Sequence, residues 1–176
     1  MKPYVLSIIG DDRAGLVDAL AEVVAEHGGS WERSHVTELA GTFAGVVLVH
    51  LPGDRSAAFV AALEPLREQE LLDVTVRPAP RDEDLPDDAP TLGFEVVGAD
   101  RPGIVHEVAH RLASLGVGIV DLRTWTESAA MAGSALFRAA AVVRLPAGIG
   151  RHQVVDALED LSSDLMVDVA DGSPPS

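Results

Sequence analysis

The chain repeats itself, and a duplicated unit leaves few folds open to it. Ile9-Gly10-Asp11-Asp12-Arg13-Ala14-Gly15-Leu16-Val17 returns as Val97-Gly98-Ala99-Asp100-Arg101-Pro102-Gly103-Ile104-Val105. A short apolar run precedes each copy, Tyr4 to Ile9 and Leu92 to Val97. A helical pattern ending near glycine follows each. Leu16, Leu20, Val23, Val24 and His27 share a face before Gly28-Gly29, as do Ile104, Val105, Val108, Leu112 and Leu115 before Gly116.

Both copies then read as a β-hairpin. The first pairs Ser30 to Leu39 with Thr42 to Leu51 around Ala40-Gly41, and the second pairs Val117 to Glu127 with Ala135 to Leu145. The second hairpin carries about six extra residues near Ser128 to Ser134, by the same alignment. A second helix follows in each copy, Ser56 to Glu70 and Arg151 to Ser163, and Pro65 should kink or shorten the first. Last strands run over Leu72 to Arg77 and Leu165 to Val169. The order β-α-β-β-α-β, twice, predicts an α+β fold of two tandem ferredoxin-like units. Each is a four-stranded antiparallel sheet with two helices on one face.

The expected boundaries are 1–77 for the first unit, 78–90 for a linker, 91–170 for the second unit and 171–176 for a frayed tail. Prolines and carboxylates mark the linker as a solvated spacer, with a partner-docking segment as the alternative. Gly45 to Val49 and Ala139 to Val143 are almost continuously apolar, so those strands expect cover on both faces. The bare sheet face or edge should meet the other repeat or a second chain, and a homodimer is the simplest expectation.

Composition removes several function classes. The formal charge is −15 and Lys2 is the only lysine, so the surface repels both the phosphates of nucleic acid and anionic lipid. There is no cysteine, which excludes disulfides, thiolate metal sites and cysteine nucleophiles. No signal peptide or membrane-length apolar run is visible, and a cytoplasmic location is expected.

His106-Glu107-Val108-Ala109-His110 matches the H-E-x-x-H pattern of zinc hydrolases, with Glu107 as general base. A third ligand is missing. Ala113 and Gly116 stand where the metzincin pattern needs glycine and histidine, and Glu127 lies in a hairpin with no reason to reach back. With Val105, Val108, Ala109 and Leu112 as the buried stripe, His106 and His110 fall toward solvent. The first copy has Asp18 and Glu22 at their places. An exposed histidine pair arising by chance is the preferred reading, and the zinc hydrolase is kept as an alternative.

The turn before that helix is more promising. Pro102 suits a helix's first turn, Asp100 or Arg101 is placed to cap, and Gly103 lets a ligand approach the backbone. Free N–H groups and the helix dipole there favour an anion such as an amino-acid carboxylate. The competing reading is a turn that starts a helix and binds nothing.

Asp100-Arg101-Pro102-Gly103-Ile104-Val105 after an apolar strand, followed by Gly116-Val117-Gly118-Ile119-Val120, resembles an ACT domain. Gly10 to Val17 with Gly28-Gly29-Ser30-Trp31 resembles the same unit. The tandem, with Leu136-Phe137-Arg138 and Arg144-Leu145-Pro146, is similar to the glycine cleavage system transcriptional repressor group.

The resemblance implies a regulatory module that binds a small amino acid, glycine or serine, at an interface between units. It implies no cofactor and no catalytic residue. Carried over position by position, the ligand would touch Asp12, Arg13, Ala14, Gly15 and Leu16, or Asp100, Arg101, Pro102, Gly103 and Ile104. The start of a neighbouring second strand would add Ser30 and Trp31, or Gly118 and Ile119. Ala14 replaces the family's usual proline, and Ser30 and Gly118 stand where asparagine often makes a contact. Trp31 also suits core or interface packing. The enzymes to which such units are fused have no room for their catalytic parts here, so the chain is expected to be non-enzymatic and to regulate through a protein partner. A constitutive interaction module without a ligand is the remaining alternative.

Overall fold

The structure, a computed structural model, describes residues 1–80, 89–128, 135–161 and 165–170. Most of the expected linker (81–88), the hairpin insertion (129–134) and the expected tail (171–176) lie outside the described residues. The chain divides into two compact units, Met1–Leu85 and Pro86–Ser176.

The first unit contains β1 (Lys2–Asp11), α1 (Leu16–Glu26), β2 (Ser30–Leu39), β3 (Thr42–Leu51), α2 (Ser56–Glu68) and β4 (Asp73–Pro78). The second contains β5 (Thr91–Ala99), α3 (Ile104–Ser114), β6 (Gly118–Ser128), β7 (Ala135–Arg144), α4 (Arg151–Glu159) and β8 (Leu165–Ala170). Their sheets have the orders β2-β3-β1-β4 and β6-β7-β5-β8, with every pairing antiparallel. These are the tandem βαββαβ units that the repeat predicts.

Each unit has its own core between helices and sheet. In the first, Leu6, Ile8, Val47 and Val49 from the strands meet Leu16, Leu20 and Val24 of α1 and Phe59, Leu63 and Leu66 of α2. In the second, Phe94, Val96, Phe137, Ala139, Ala141 and Val143 meet Ile104, Val108 and Leu112 of α3 and Val154 and Leu158 of α4. The spacing i, i+4, i+8 along α1 and α3 points one narrow stripe at the sheet. Val105 is not part of it. At 42% exposure it corrects the expected buried face, because one residue's advance rotates a side chain by about 100° away from Ile104.

Two local features bear on the expected elements. Helix α2 continues through Pro65 to Glu68. The proline removes the N–H that the Ala61 carbonyl would receive, but both residues are exposed, so solvent can satisfy that carbonyl. The β2–β3 hairpin closes on Ala40 and Gly41 with φ of 53° and 78°, the two left-handed residues of a type I′ turn.

The faces turned away from the helices are unlike each other. On the first sheet, Val46 is exposed and Val5 and Leu48 are half-buried. They floor an open groove of about 420 Å³ with Glu32, Arg33, His35 and His50 around it. On the second sheet, Arg138 donates to Glu95 at 2.6 Å and to Glu127 at 3.0 Å, while the Trp125 indole donates to Glu127 at 2.9 Å.

Candidate functional site

The strand-to-helix turns are built alike. Helix α1 is capped by Gly15 at φ 96° and α3 by Gly103 at φ 89°, in both cases without a side-chain cap. An L-residue with a Cβ is disfavoured in that left-handed conformation, which accounts for glycine in both copies. The expected capping by Asp100 or Arg101 is therefore corrected. The left-handed glycine is itself the cap, the helix begins at Ile104, and Pro102 precedes it rather than entering the first turn. Each turn is pinned to the neighbouring hairpin, the Asp12 N–H to the Gly41 carbonyl at 2.8 Å and the Asp100 N–H to the Ala135 carbonyl at 2.9 Å.

The turns are open. Asp12, Arg13, Ala14 and Gly15 are exposed, as are Asp100, Pro102 and Gly103, while Arg101 is half-buried. Nothing lies within 4 Å of where a Cβ on Gly15 would stand, and beside Gly103 only the Glu107 carboxylate comes as close as 3.9 Å. Leu16 and Ile104 are core anchors, 3% exposed each, so their side chains are unavailable to a ligand. What these positions can offer is backbone N–H.

The second half of the candidate site is elsewhere. Ser30 pairs with His50 and Gly118 with Arg144, at the sheet ends opposite the turns. Leu39 pairs with Thr42 and Glu127 with Leu136, at the turn ends. Eight residues of β3 or β7 separate those pairs, about 26 Å at roughly 3.3 Å per residue. Within one unit the turn and the start of the second strand never meet. Ser30, Gly118 and Ile119 are exposed, whereas Trp31 is half-buried and packs on the first core. The 420 Å³ groove includes none of the turn residues.

Charge at the second turn is organised by a residue given another role in the sequence reading. Arg101 donates through both terminal nitrogens to the two oxygens of Glu107, at 2.6 and 2.5 Å. That hydrogen bonding holds the Glu107 carboxyl below its ordinary range. Glu107 is thus committed to the turn and does not stand as a base beside a metal. His106 and His110 are exposed, their rings stacked with centroids 5.9 Å apart. Glu127 points to the sheet face opposite the helices, toward Arg138. Among the described residues no group of three or more His, Asp or Glu side chains is arranged to hold a metal. The sequence signal for the Arg101–Glu107 pair was slight, an acid in the first turn of a helix.

Comparison with known proteins bears on the fold and the family. The ACT domain family model matches residues 2–77. A protein described as unknown from Galdieria sulphuraria is 30% identical over 96% of both chains, with a TM-score of 0.83. A protein described as a candidate glycine cleavage system transcriptional repressor is 17% identical over 96% of both chains, with a TM-score of 0.67, a likeness of fold. No curated protein matches the chain. Residues 2–77 belong to the ACT domain family, and the chain as a whole has the tandem ACT-domain fold.

Proposed function

We propose that this chain is a non-enzymatic regulatory protein that binds a small amino acid, glycine or serine, where ACT units meet. The observation that carries the reading is the pair of solvent-exposed left-handed glycine caps, each opening onto the first amides of a helix. An amino-acid carboxylate suits those amides and the positive end of the helix dipole. Its ammonium suits Asp12 or Asp100.

The complementary half of each site must come from a second unit, and a homodimer supplies it. Strand β6 is an edge strand with Ile119, Val120, Leu122 and Trp125 exposed along it. Its apolar margin continues onto α3, where Val105 and Ala109 line a crevice with Ile119 and Leu122. A second copy pairing antiparallel along β6 carries its own Gly118 and Ile119 to the Glu127 end, beside the start of α3. The two half-sites then lie together.

Regulation follows if the ligand favours one packing of units over another, since coupling needs unequal affinity for two arrangements. With a charge of −15, the chain acts on amino-acid metabolism or its transcription through a protein partner in the cytoplasm rather than by touching nucleic acid. Calorimetry against the twenty amino acids tests the reading. Saturable heat with glycine or serine is expected, and heat from none of the twenty would sink it. The exposed β6 margin equally suits a constitutive interaction module, which partner capture insensitive to every amino acid would favour.

A further inference from the structure

The repeats carry different charges around the turn: Asp11 and Asp18 of the first unit stand against Ala99 and His106 of the second. Glu107 of the second unit corresponds to Ala19 of the first. From the first turn of α3, the Glu107 carboxylate reaches back to receive both terminal nitrogens of Arg101, and one of its oxygens stands beside the Gly103 cap. A carboxylate arriving from solution would seek the same two partners, the planar guanidinium and the amides just past the glycine. In the first unit Arg13 is exposed and has no ion-pair partner among the described residues.

We propose that Glu107 is an internal stand-in for a ligand carboxylate, occupying Arg101 and the mouth of the second turn so that an external acid group binds there only by displacing it. The proposal deepens the amino-acid reading above and takes its site from it. It makes Glu107 a selectivity residue. A ligand with a single weak carboxylate contact is refused at the second turn, and one whose other contacts supply enough binding energy gets in. The first turn carries no such competitor. Its own acids, Asp11, Asp12 and Asp18, flank the cap, and among the described residues no ion pair to an arginine fixes them there.

The test uses the full chain, acetate as the probe, and the backbone amide resonances of Ile104 to His106 as the readout. Those of Leu16 to Asp18 serve as an internal reference. Glu107→Gln and Glu107→Ala are expected to tighten acetate binding at Ile104 to His106 by about tenfold, as removal of a charged competitor at a helix start allows. The Leu16 to Asp18 response should stay as in the parent protein. Adding Arg101→Ala to Glu107→Ala should abolish the gain. A gain that survives without Arg101 is a general charge effect and overturns the proposal. Weaker binding in the Glu107 variants also overturns it, because Glu107 would then be positioning Arg101 for the ligand. So does the absence of any acetate response in every variant. The amino-acid reading fails separately: if the acetate pattern appears but no amino acid gives heat, Glu107 is a competitor at a site for some other acid.

Discussion

Glu127 accepts from two partners at one exposed strand end, the Trp125 indole and the Arg138 guanidinium, and its titration is readable because one of them is an indole. The Trp125 Nε1–H and then Arg138 hold its carboxyl below the ordinary value of 4.5. A lowered native value means that the contribution to stability is complete above the ordinary value and is lost as pH falls through the native one. The Trp125 indole proton resonance should therefore shift with a midpoint below pH 4.5, and Glu127→Gln should remove that step. A midpoint at or above the ordinary value would contradict the bond. The sequence exposed some residues well and others hardly at all. Gly15 and Gly103 were legible because the repeat placed a glycine twice at one turn. Arg101 with Glu107, and Arg138 with Glu95 and Glu127, were not, since pairs that cross a turn or neighbouring strands leave no periodicity along the chain.

Helices and strands followed the hydrophobic period closely. The β2–β3 hairpin was readable to the residue because a two-residue link between apolar strands leaves one register. Less legible was how far each apolar face is covered. Val17 and Val105 satisfy a broad helical stripe, yet both are exposed, as a four-stranded sheet accommodates only the narrow i, i+4 row beneath each helix. The same hairpin yields a stability prediction. Ala40 holds φ 53° and so bears the left-handed penalty of roughly 1 kcal/mol that asparagine tolerates better. Ala40→Asn is expected to raise unfolding stability by about 0.5–1 kcal/mol in urea titrations. A loss of stability would mean that the turn is not of the assigned type.

For the molecule as a whole, the duplication was the most legible feature, and which strand is left as an apolar edge the least, because an edge strand reads like any other strand. The β6 edge is where self-association is expected. Val120, at the bulge between Ile119 and Asp121, is 51% exposed and has Glu32 as its counterpart in the first unit. Val120→Lys should convert a dimer to a monomer in light scattering while leaving the far-ultraviolet circular dichroism unchanged, as edge lysines do elsewhere. A dimer that persists would move the interface to another surface. The 26 Å that separates each turn from the start of its own second strand then has a consequence beyond architecture. If neither protomer can clasp its guest alone, occupancy and self-assembly are linked through mass action, each strengthening the other by the same factor. Half-saturation would drift downward as the protein becomes more abundant, so a cell could retune the metabolite threshold simply by changing how much of this chain it makes.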